Sequence, residues 1–242
     1  ESANPFRTLF KSLSDDRWEN SNEMPDLPQA NGETTPLMAS KTAEPEHDVL
    51  SLNFEALVTA FGNTVHSEVG ALLLYSAMQV SPKFADSLSV RSDMDRLVIP
   101  LLRTLYFSSS SQVFASQDYR AKREPSSDKG MKASIRNCPF RSQSQLYVII
   151  ILLLLFSQDT SFGSDEFRRI MLKEIPWYRE RHLRTISLGS LIVLSIIRCL
   201  SFNLNRLQDP FLMSNCCAIL MNLLPFIAEL HDYAAMRMVS FT

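Results

Sequence analysis

The sequence predicts an all-α protein, and three observations on its 242 residues support that prediction. Glycine occurs only 6 times, whereas sheets built from tight hairpins usually require more of it. Apolar residues recur three and four positions apart, which is the spacing of one face of a helix. Ser-Pro and Asp-Pro pairs precede two of the apolar stretches, as is typical of helix starts. Consecutive helices with short connections indicate helix pairs stacked as an irregular repeat (a solenoid) or an irregular bundle.

Residues 1–48 are expected to form a disordered acidic linker. They include five prolines among many Ser, Asn, Asp and Glu residues, and they contain few large apolar side chains. Such a segment cannot bury enough apolar surface to offset its loss of conformational entropy. The alternative for a few residues near its start is one short amphipathic turn. These residues are Phe6, Leu9, Phe10 and Leu13.

Residues 49–107 are predicted to form a first helical segment. Ser81 and Pro82 are typical of an N-cap followed by the first residue of a helix. Ser92 could cap a further helix. Pro100 lies inside that helix, where it removes one backbone hydrogen bond and should bend the axis. The first apolar helix face is formed by Phe54, Leu57, Val58 and Phe61.

Residues 108–144 interrupt the helical pattern as a polar, basic insertion. Four consecutive serines open the segment, and basic residues follow without apolar periodicity. A structureless loop of this length is uncommon inside a compact domain and is usually either functional or an insertion. A lineage-specific loop and a mistranslated intron remain as alternative origins.

Residues 145–242 are predicted to form a second helical segment. Ser164 could cap a helix that ends before Pro176. A further helix is expected at 188–200, and Asp209 with Pro210 begins another. The buried face of the helix after Ser164 would hold Phe167, Ile170 and Met171. The face of a final helix would hold Ile227, Leu230, Tyr233, Ala234 and Met238.

The stretch 215–224 resembles the inner helix of an armadillo-type repeat, in which small residues permit close packing and an asparagine lies toward the concave face. Only one such copy is recognisable in the sequence. Strong self-similarity at a period of about 40–47 residues is not visible. The expectation of an armadillo- or HEAT-like solenoid therefore depends on helix content and length more than on a repeated motif.

Two apolar runs raise the question of a membrane span. They cover 146–156 and 186–197, and each is shorter than the roughly 20 residues that a spanning helix needs. Helices that are apolar on all sides because neighbouring helices cover them are the favoured interpretation. The alternative is an integral membrane protein that uses these two runs.

No catalytic, cofactor or metal site is expected. The sequence contains no G-x-G-x-x-G, no G-x-x-x-x-G-K-[ST] and no H-E-x-x-H motif. Residues 126–129 match the S-x-x-K pattern of some serine hydrolases, but they lie in the polar insertion without companion motifs. The four histidines lie far apart and lack the spacing of metal ligands. A hydrolase that uses Ser126 or Cys217 remains an alternative.

Charge and cysteine content argue against two further classes of protein. The net charge is -2, so the chain lacks the basic excess of a nucleic-acid-binding domain. Its four cysteines form no C-x-x-C pair, which favours reduced thiols in the cytoplasm over a disulfide framework. Cys216 and Cys217 are expected to be small packing residues within a helix.

The region around Pro176 mixes aromatic, basic and acidic residues. Trp177 and Tyr178 are expected to pack inside the protein, although such aromatics also form interface hot spots. A solvated helix face with internal ion pairs is favoured for the charged residues. Weak attraction to anionic lipid is the alternative. The basic residues concerned are Arg168, Arg169, Lys173, Arg179, Arg181 and Arg184.

A family resemblance is visible in the same region. Residues 176–181, followed by 186–191 and by Ile197 and Arg198, resemble the most recognisable block of the dymeclin (Dyggve-Melchior-Clausen syndrome protein) family. The resemblance covers roughly 52–107 and 145–242, whereas the N-terminal linker and the basic insertion depart from the family pattern. It continues through Asn203, Asp209, Leu212, Asn215, Cys216, Ala218, Leu220, Asn222, Tyr233 and Arg237.

This resemblance implies a non-enzymatic helical scaffold that exchanges between the cytoplasm and the Golgi apparatus. It implies a role in Golgi organisation and vesicle trafficking through contacts with Golgi-associated proteins, with peripheral membrane contact and without nucleic acid or a small-molecule substrate. The family's protein is longer and begins with a Met-Gly myristoylation signal, so the sequence is expected to be an internal fragment. Candidate interface positions are Trp177, Tyr178, Glu180, Arg181, Gly189, Arg198, Asn215, Asn222, Tyr233 and Arg237.

Overall fold

The computed structural model describes residues 4–16, 51–109, 143–159, 170–227 and 229–241. Of these residues 73% are helical, which confirms the predicted all-α class at the level of overall content. The helices are α1 (Pro5–Lys11), α2 (Phe54–Thr64), α3 (Glu68–Val80), α4 (Pro82–Ser89), α5 (Asp95–Ser108), α6 (Gln143–Gln158), α7 (Leu188–Phe202), α8 (Pro210–Leu223) and α9 (Asp232–Phe241). The strands are β1 (Ser14–Asp15), β2 (Ser51–Leu52), β3 (Met171–Glu174) and β4 (Arg184–Ser187).

Side-chain caps start several of these helices. Ser81 accepts a hydrogen bond from the Phe84 amide at the start of α4, and Asp209 accepts one from the Phe211 amide at the start of α8. Both predicted starts are thereby confirmed. The predicted Ser92 cap is wrong, because α5 begins at Asp95 and its N-cap residue makes no side-chain bond. Local order before α5 comes instead from the two hydrogen bonds that the Arg91 guanidinium donates to Asp93.

The helices contact one another in two series. In one series α2 contacts α5, α5 contacts α7, and α7 contacts α9. In the other series α3 contacts α6, and α6 contacts α8. Members of the two series also pair, since α2 contacts α3, α5 contacts α6, and α7 contacts α8. Each inner helix is therefore covered on several sides by other helices.

Helix α7 lies at the centre of this packing and is buried along nearly its whole length. It continues as a single π-helical turn, Asn203–Leu207, so the continuous helix Leu188–Leu207 has 20 residues. That length and its hydropathy would suffice to cross a membrane, which corrects the expectation that the run 186–197 is too short. However, 78% of its most apolar window is buried inside the protein, as in a core helix. The other run, 146–156, lies within the shorter helix α6.

The beginning of the chain is ordered where it is described. Leu13 is buried in the core, α1 contacts α3, and β1 pairs with β2 in parallel. Residues 4–16 thus match the alternative of one short amphipathic turn, because α1 is helical and Leu13, together with the short strand pair, attaches this stretch to the other helices. The rest of the predicted linker, and nearly all of the predicted insertion at 108–144, lie outside the described residues.

The described end of one predicted helix, Met171–Glu174, is a strand of an antiparallel hairpin. Strand β3 pairs with β4, with Leu172 opposite Ile186. Met171 was expected on a buried helix face, but it lies on β3 with 52% of its surface exposed. Three apolar residues at helical spacing are too short a pattern to distinguish a helix from a strand. The predicted cap Ser164 lies outside the described residues.

The α7–α8 junction depends on one buried asparagine. The Asn203 side chain donates to the Asp209 carbonyl oxygen at 3.0 Å and accepts from the Asp209 amide at 3.0 Å. The Gln208 amide also donates to the Asn203 carbonyl oxygen, at 2.7 Å. Asn203 thereby closes the π-helical turn and positions the residue that caps α8.

Replacing Asn203 with alanine should lower the free energy of local unfolding by about 2 kcal/mol, because two backbone groups lose their partners. Hydrogen–deuterium exchange of the full-length protein would measure this change in peptides that cover the α7–α8 junction. Asn205→Ala is the matched control, since Asn205 is exposed and bonds only to a carbonyl of its own helix. Equal effects of the two substitutions would contradict the assigned role of Asn203.

Candidate functional site

The loop between β3 and β4, residues 175–183, contains the block 176–181 in which the family resemblance begins, and it packs against three helices. It forms an aromatic–arginine cluster with the end of α5, the middle of α7 and the start of α9. The cluster consists of Tyr106, Phe107, Trp177, Tyr178, Arg179, Glu180, Arg181, Arg198 and Tyr233.

A local turn gives the loop its shape. The Tyr178 amide donates to the Ile175 carbonyl oxygen at 3.2 Å, and Pro176 stands at the second position of that turn. Proline is favoured there because its ring fixes the φ angle that the turn requires. Ile175 and Leu183 are buried at the two ends of the loop, so the loop is attached to the core at both ends.

Tyr106 is the centre of the aromatic packing and is itself buried. Its ring centroid lies 5.5 Å from that of Trp177 and 5.1 Å from that of Tyr178. Tyr178 in turn lies 6.4 Å from Tyr233. These separations are those of favourable aromatic pairs. The expectation that Trp177 and Tyr178 pack within the protein agrees with this geometry.

A partly exposed ion pair lies within the cluster, with 19% of the Arg198 side chain and 27% of the Glu180 side chain accessible to solvent. Arg198 pairs through Nη1 with Glu180 Oε1, and its guanidinium carbon lies 4.2 Å from the centre of the Tyr106 ring. The Tyr178 hydroxyl donates to the other Glu180 oxygen at 3.1 Å. Burial, together with the neighbouring Tyr233, raises the pKa of Tyr178 above its usual value. Tyr178 is thus a neutral donor at physiological pH, and one carboxylate joins the loop to α7.

Replacing Glu180 with alanine should lower the free energy of local unfolding by about 2 kcal/mol. The Arg198 guanidinium and the Tyr178 hydroxyl would lose their shared acceptor in a partly buried site. The matched control is Glu174→Ala in the same hairpin, whose side chain is 61% exposed against 27% for Glu180. The control should change stability by less than about 0.5 kcal/mol.

Hydrogen–deuterium exchange in peptides that cover the loop and the start of α9 would measure both variants. If protection from exchange decreased equally little in the two variants, the ion pair of Glu180 and Arg198 would not be what stabilises the loop.

Two further arginines lie on the outer side of the aromatic rings. The Arg179 guanidinium carbon lies 5.7 Å from the centre of the Phe107 ring, and that of Arg181 lies 5.1 Å from the centre of the Tyr233 ring. The Arg179 backbone amide also donates to the Tyr106 hydroxyl at 3.0 Å. Both side chains are solvent-exposed, so the aromatic contacts restrict the guanidinium groups without burying them.

The structure brings six of the ten candidate positions into this cluster. They are Trp177, Tyr178, Glu180, Arg181, Arg198 and Tyr233. Two others lie on helices α7 and α9, which contribute residues to the cluster, but are not themselves members of it. Gly189 is buried in the first turn of α7, and Arg237 follows Tyr233 by one turn on α9.

The two remaining candidates, Asn215 and Asn222, lie on α8. The Asn222 side chain donates to the Ser157 hydroxyl of α6 at 3.1 Å, and the Asn215 side chain donates to the Phe211 carbonyl oxygen of its own helix at 2.7 Å. Both amide groups are therefore engaged within the protein.

Sequence reasoning did not include Tyr106, Phe107 and Arg179 among the candidate site residues. Arg179 lies within residues 176–181, where the family resemblance begins, and this position could have marked it as a candidate. Tyr106 and Phe107 carry no local signal, because their partners lie about 70 residues further along the chain. The expected charged helix face is corrected as well, since Lys173 and Arg184 lie on the hairpin strands.

The described residues contain no group of three or more His, Cys, Asp or Glu side chains that could hold a metal ion. The motif at 126–129 lies outside the described residues. Cys199, Cys216 and Cys217 are free thiols. A hydrogen bond with Cys199, together with burial, raises the pKa of Cys216, so that thiol stays protonated and is a poor nucleophile.

Comparison with known proteins gives a consistent result. The chain matches the family described as "Dymeclin: Dyggve-Melchior-Clausen syndrome protein" over residues 1–242, which encloses the linker and the insertion as well as the two blocks of resemblance. It is 31% identical to Dymeclin of Xenopus laevis over 202 residues, which is 84% of this chain and 26% of that protein.

Other relatives carry the same name. The identity with Dymeclin of Gallus gallus is 31% over 79% of this chain and 24% of that protein. With Dymeclin of Dictyostelium discoideum it is 27% over 81% of this chain and 18% of that protein. The chain spans about a quarter of the length of the vertebrate relatives. No solved structure matches it.

Proposed function

The chain belongs to the dymeclin family, and on that premise we propose that it is part of a non-enzymatic scaffold in Golgi organisation and vesicle trafficking. The scaffold acts through contacts with Golgi-associated proteins at the cytosolic face of the Golgi. It exchanges between the cytoplasm and the membrane surface as a peripheral membrane protein. It requires no cofactor, nucleic acid or small-molecule substrate.

One structural observation carries the scaffold proposal, namely the two series of helix contacts described above. Such contacts support the proposal that the helix pairs stack as a solenoid of the armadillo or HEAT type. The starts of α2 and α5, and those of α7 and α9, lie about 40–45 residues apart, within the repeat length of such proteins. Stacked helix pairs provide an extended surface for protein partners, which is what a scaffold requires.

The aromatic–arginine cluster supports a structural role for the loop between β3 and β4. Glu180 pairs with Arg198 and accepts from the Tyr178 hydroxyl, and the Tyr106 hydroxyl accepts from the loop backbone. None of these groups is arranged as a nucleophile with an adjacent base. The loop therefore joins α5, α7 and α9, and its outer residues are available to partners.

An integral membrane protein is the second candidate, because Leu188–Leu207 is long and apolar enough to span a bilayer. Its burial among α5, α8 and α9 favours the role of a core helix. Alkaline carbonate extraction distinguishes the two candidates, since it releases peripheral proteins and retains spanning ones.

The test uses the full-length protein, tagged at its own locus in living cells. Signal at the Golgi that recovers after photobleaching from a cytoplasmic pool, and release by carbonate, are the expected results. A peripheral coat protein and a single-span Golgi protein serve as the released and retained controls. A diffuse signal would contradict the Golgi scaffold, and retention after carbonate would favour the membrane-spanning alternative.

A further inference from the structure

The outer side of the β3–β4 hairpin is positively charged. We define the hairpin basic surface as Lys173, Arg179 and Arg181, all of which are exposed. The negative charge of Glu180, which lies between Arg179 and Arg181, is balanced by the Arg198 guanidinium with which it pairs. The remaining acid in the hairpin, Glu174, stands opposite Arg184 in the strand register and lies 3.8 Å from His182, so its charge is set against residues outside this surface. A local positive excess remains on a chain whose net charge is -2.

Two of these charges are held in defined positions. Arg179 stacks on Phe107 and Arg181 stacks on Tyr233, and both rings belong to helices that end or begin at the cluster. Neither guanidinium pairs with a carboxylate among the described residues. A guanidinium that is already ordered loses less conformational entropy when it binds an anion, and its fork of N–H groups fits phosphate and carboxylate oxygens.

We propose that the hairpin basic surface binds the anionic headgroups of a membrane leaflet, and this inference rests on the proposed peripheral association with membranes. Clustered basic residues are attracted to the negative surface potential of the cytosolic leaflet. The same hairpin presents Met171, which is 52% exposed, and the partly exposed Trp177, and side chains of these types enter the headgroup region.

The observations favour a lipid surface over a soluble acidic partner. These basic side chains come from β3 and from the loop, and all of them are exposed, so no walled pocket encloses them around one anion. An exposed apolar side chain beside the charges adds nothing to binding a carboxylate in solution, but it adds affinity at a membrane interface. The rest of the described chain offers no comparable group of fixed, unpaired arginines.

The experiment measures co-sedimentation of the purified full-length protein with vesicles. The protein is made in a host that adds no fatty acid, and the vesicles contain phosphatidylcholine with 0 or about 30% phosphatidylserine, a fraction typical of an anionic leaflet. The test variant is Arg179→Gln with Arg181→Gln. The matched control is Lys83→Gln with Arg206→Gln, which removes the same charge from exposed positions outside the hairpin.

We expect binding that requires phosphatidylserine and that weakens as salt is raised. The hairpin variant should bind about 25-fold more weakly, since each basic residue near the surface contributes about five-fold. The control variant should change binding by less than about two-fold, because its charges lie outside the surface. Equal weakening of the two variants, or equal binding to neutral vesicles, would overturn the proposal.

Two further outcomes separate this inference from the proposed function. Full competition by millimolar inorganic phosphate, or tighter binding to soluble poly-glutamate than to the vesicles, would overturn the lipid assignment. Golgi localisation of the full-length protein is measured independently in cells. Its failure would remove the scaffold proposal, whereas failure of vesicle binding alone would remove only the assignment of this surface.

Discussion

Replacing Tyr106 with alanine should lower the free energy of local unfolding by about 4 kcal/mol, the largest effect that we expect in the aromatic–arginine cluster. Tyr106 is buried and contacts Trp177, Tyr178 and the Arg198 guanidinium. Truncation would remove this shared surface and leave a cavity where α5, α7 and the hairpin loop meet. The loop should then open more often than the rest of the molecule.

Tyr106→Phe is the matched control for this prediction. It keeps the ring and removes only the hydroxyl that accepts from the Arg179 amide at 3.0 Å. Loss of one such hydrogen bond should cost about 1 kcal/mol. Hydrogen–deuterium exchange of the full-length protein would report both variants in peptides that cover the loop and α9. If alanine and phenylalanine had the same effect, the ring packing would not be what holds the cluster together.

Gly70→Ala should lower the free energy of local unfolding by about 3 kcal/mol, because the added methyl group has no space. A Cβ atom at Gly70 would overlap the Thr64 carbonyl group at the end of α2 and would lie 3.0 Å from the Ser67 hydroxyl that caps α3. A backbone carbonyl cannot move without displacing the helix end. The direction of this change in stability is informative, because replacing glycine with alanine inside a helix otherwise raises stability by about 1 kcal/mol.

Val69→Ala controls for changes in the first turn of α3 that involve no overlap. Val69 is 67% exposed, so its truncation should change stability by less than about 0.5 kcal/mol. Exchange protection in peptides that cover 61–74 would be compared between the two variants. A neutral or stabilising Gly70→Ala substitution would show that α2 and α3 do not approach each other as closely as described.

The sequence alone predicted features that depend on near neighbours in the chain. The starts of α4 and α8 followed from Ser81 with Pro82 and from Asp209 with Pro210, because a capping bond spans only two or three residues. The helical class followed from apolar spacing within single turns. The family followed from the ordered block after residue 176, which the comparison over residues 1–242 confirmed.

Only the tertiary structure decided how those elements meet. The strand at Met171–Glu174 exists because it pairs with Arg184–Ser187, and a short apolar pattern contains no information about that partner. The cluster joins Tyr106 to a loop about 70 residues away. The burial of α7 likewise depends on which helices cover it. Capping and periodicity act within a turn of helix, whereas these contacts depend on the packing of whole faces, which no local pattern specifies.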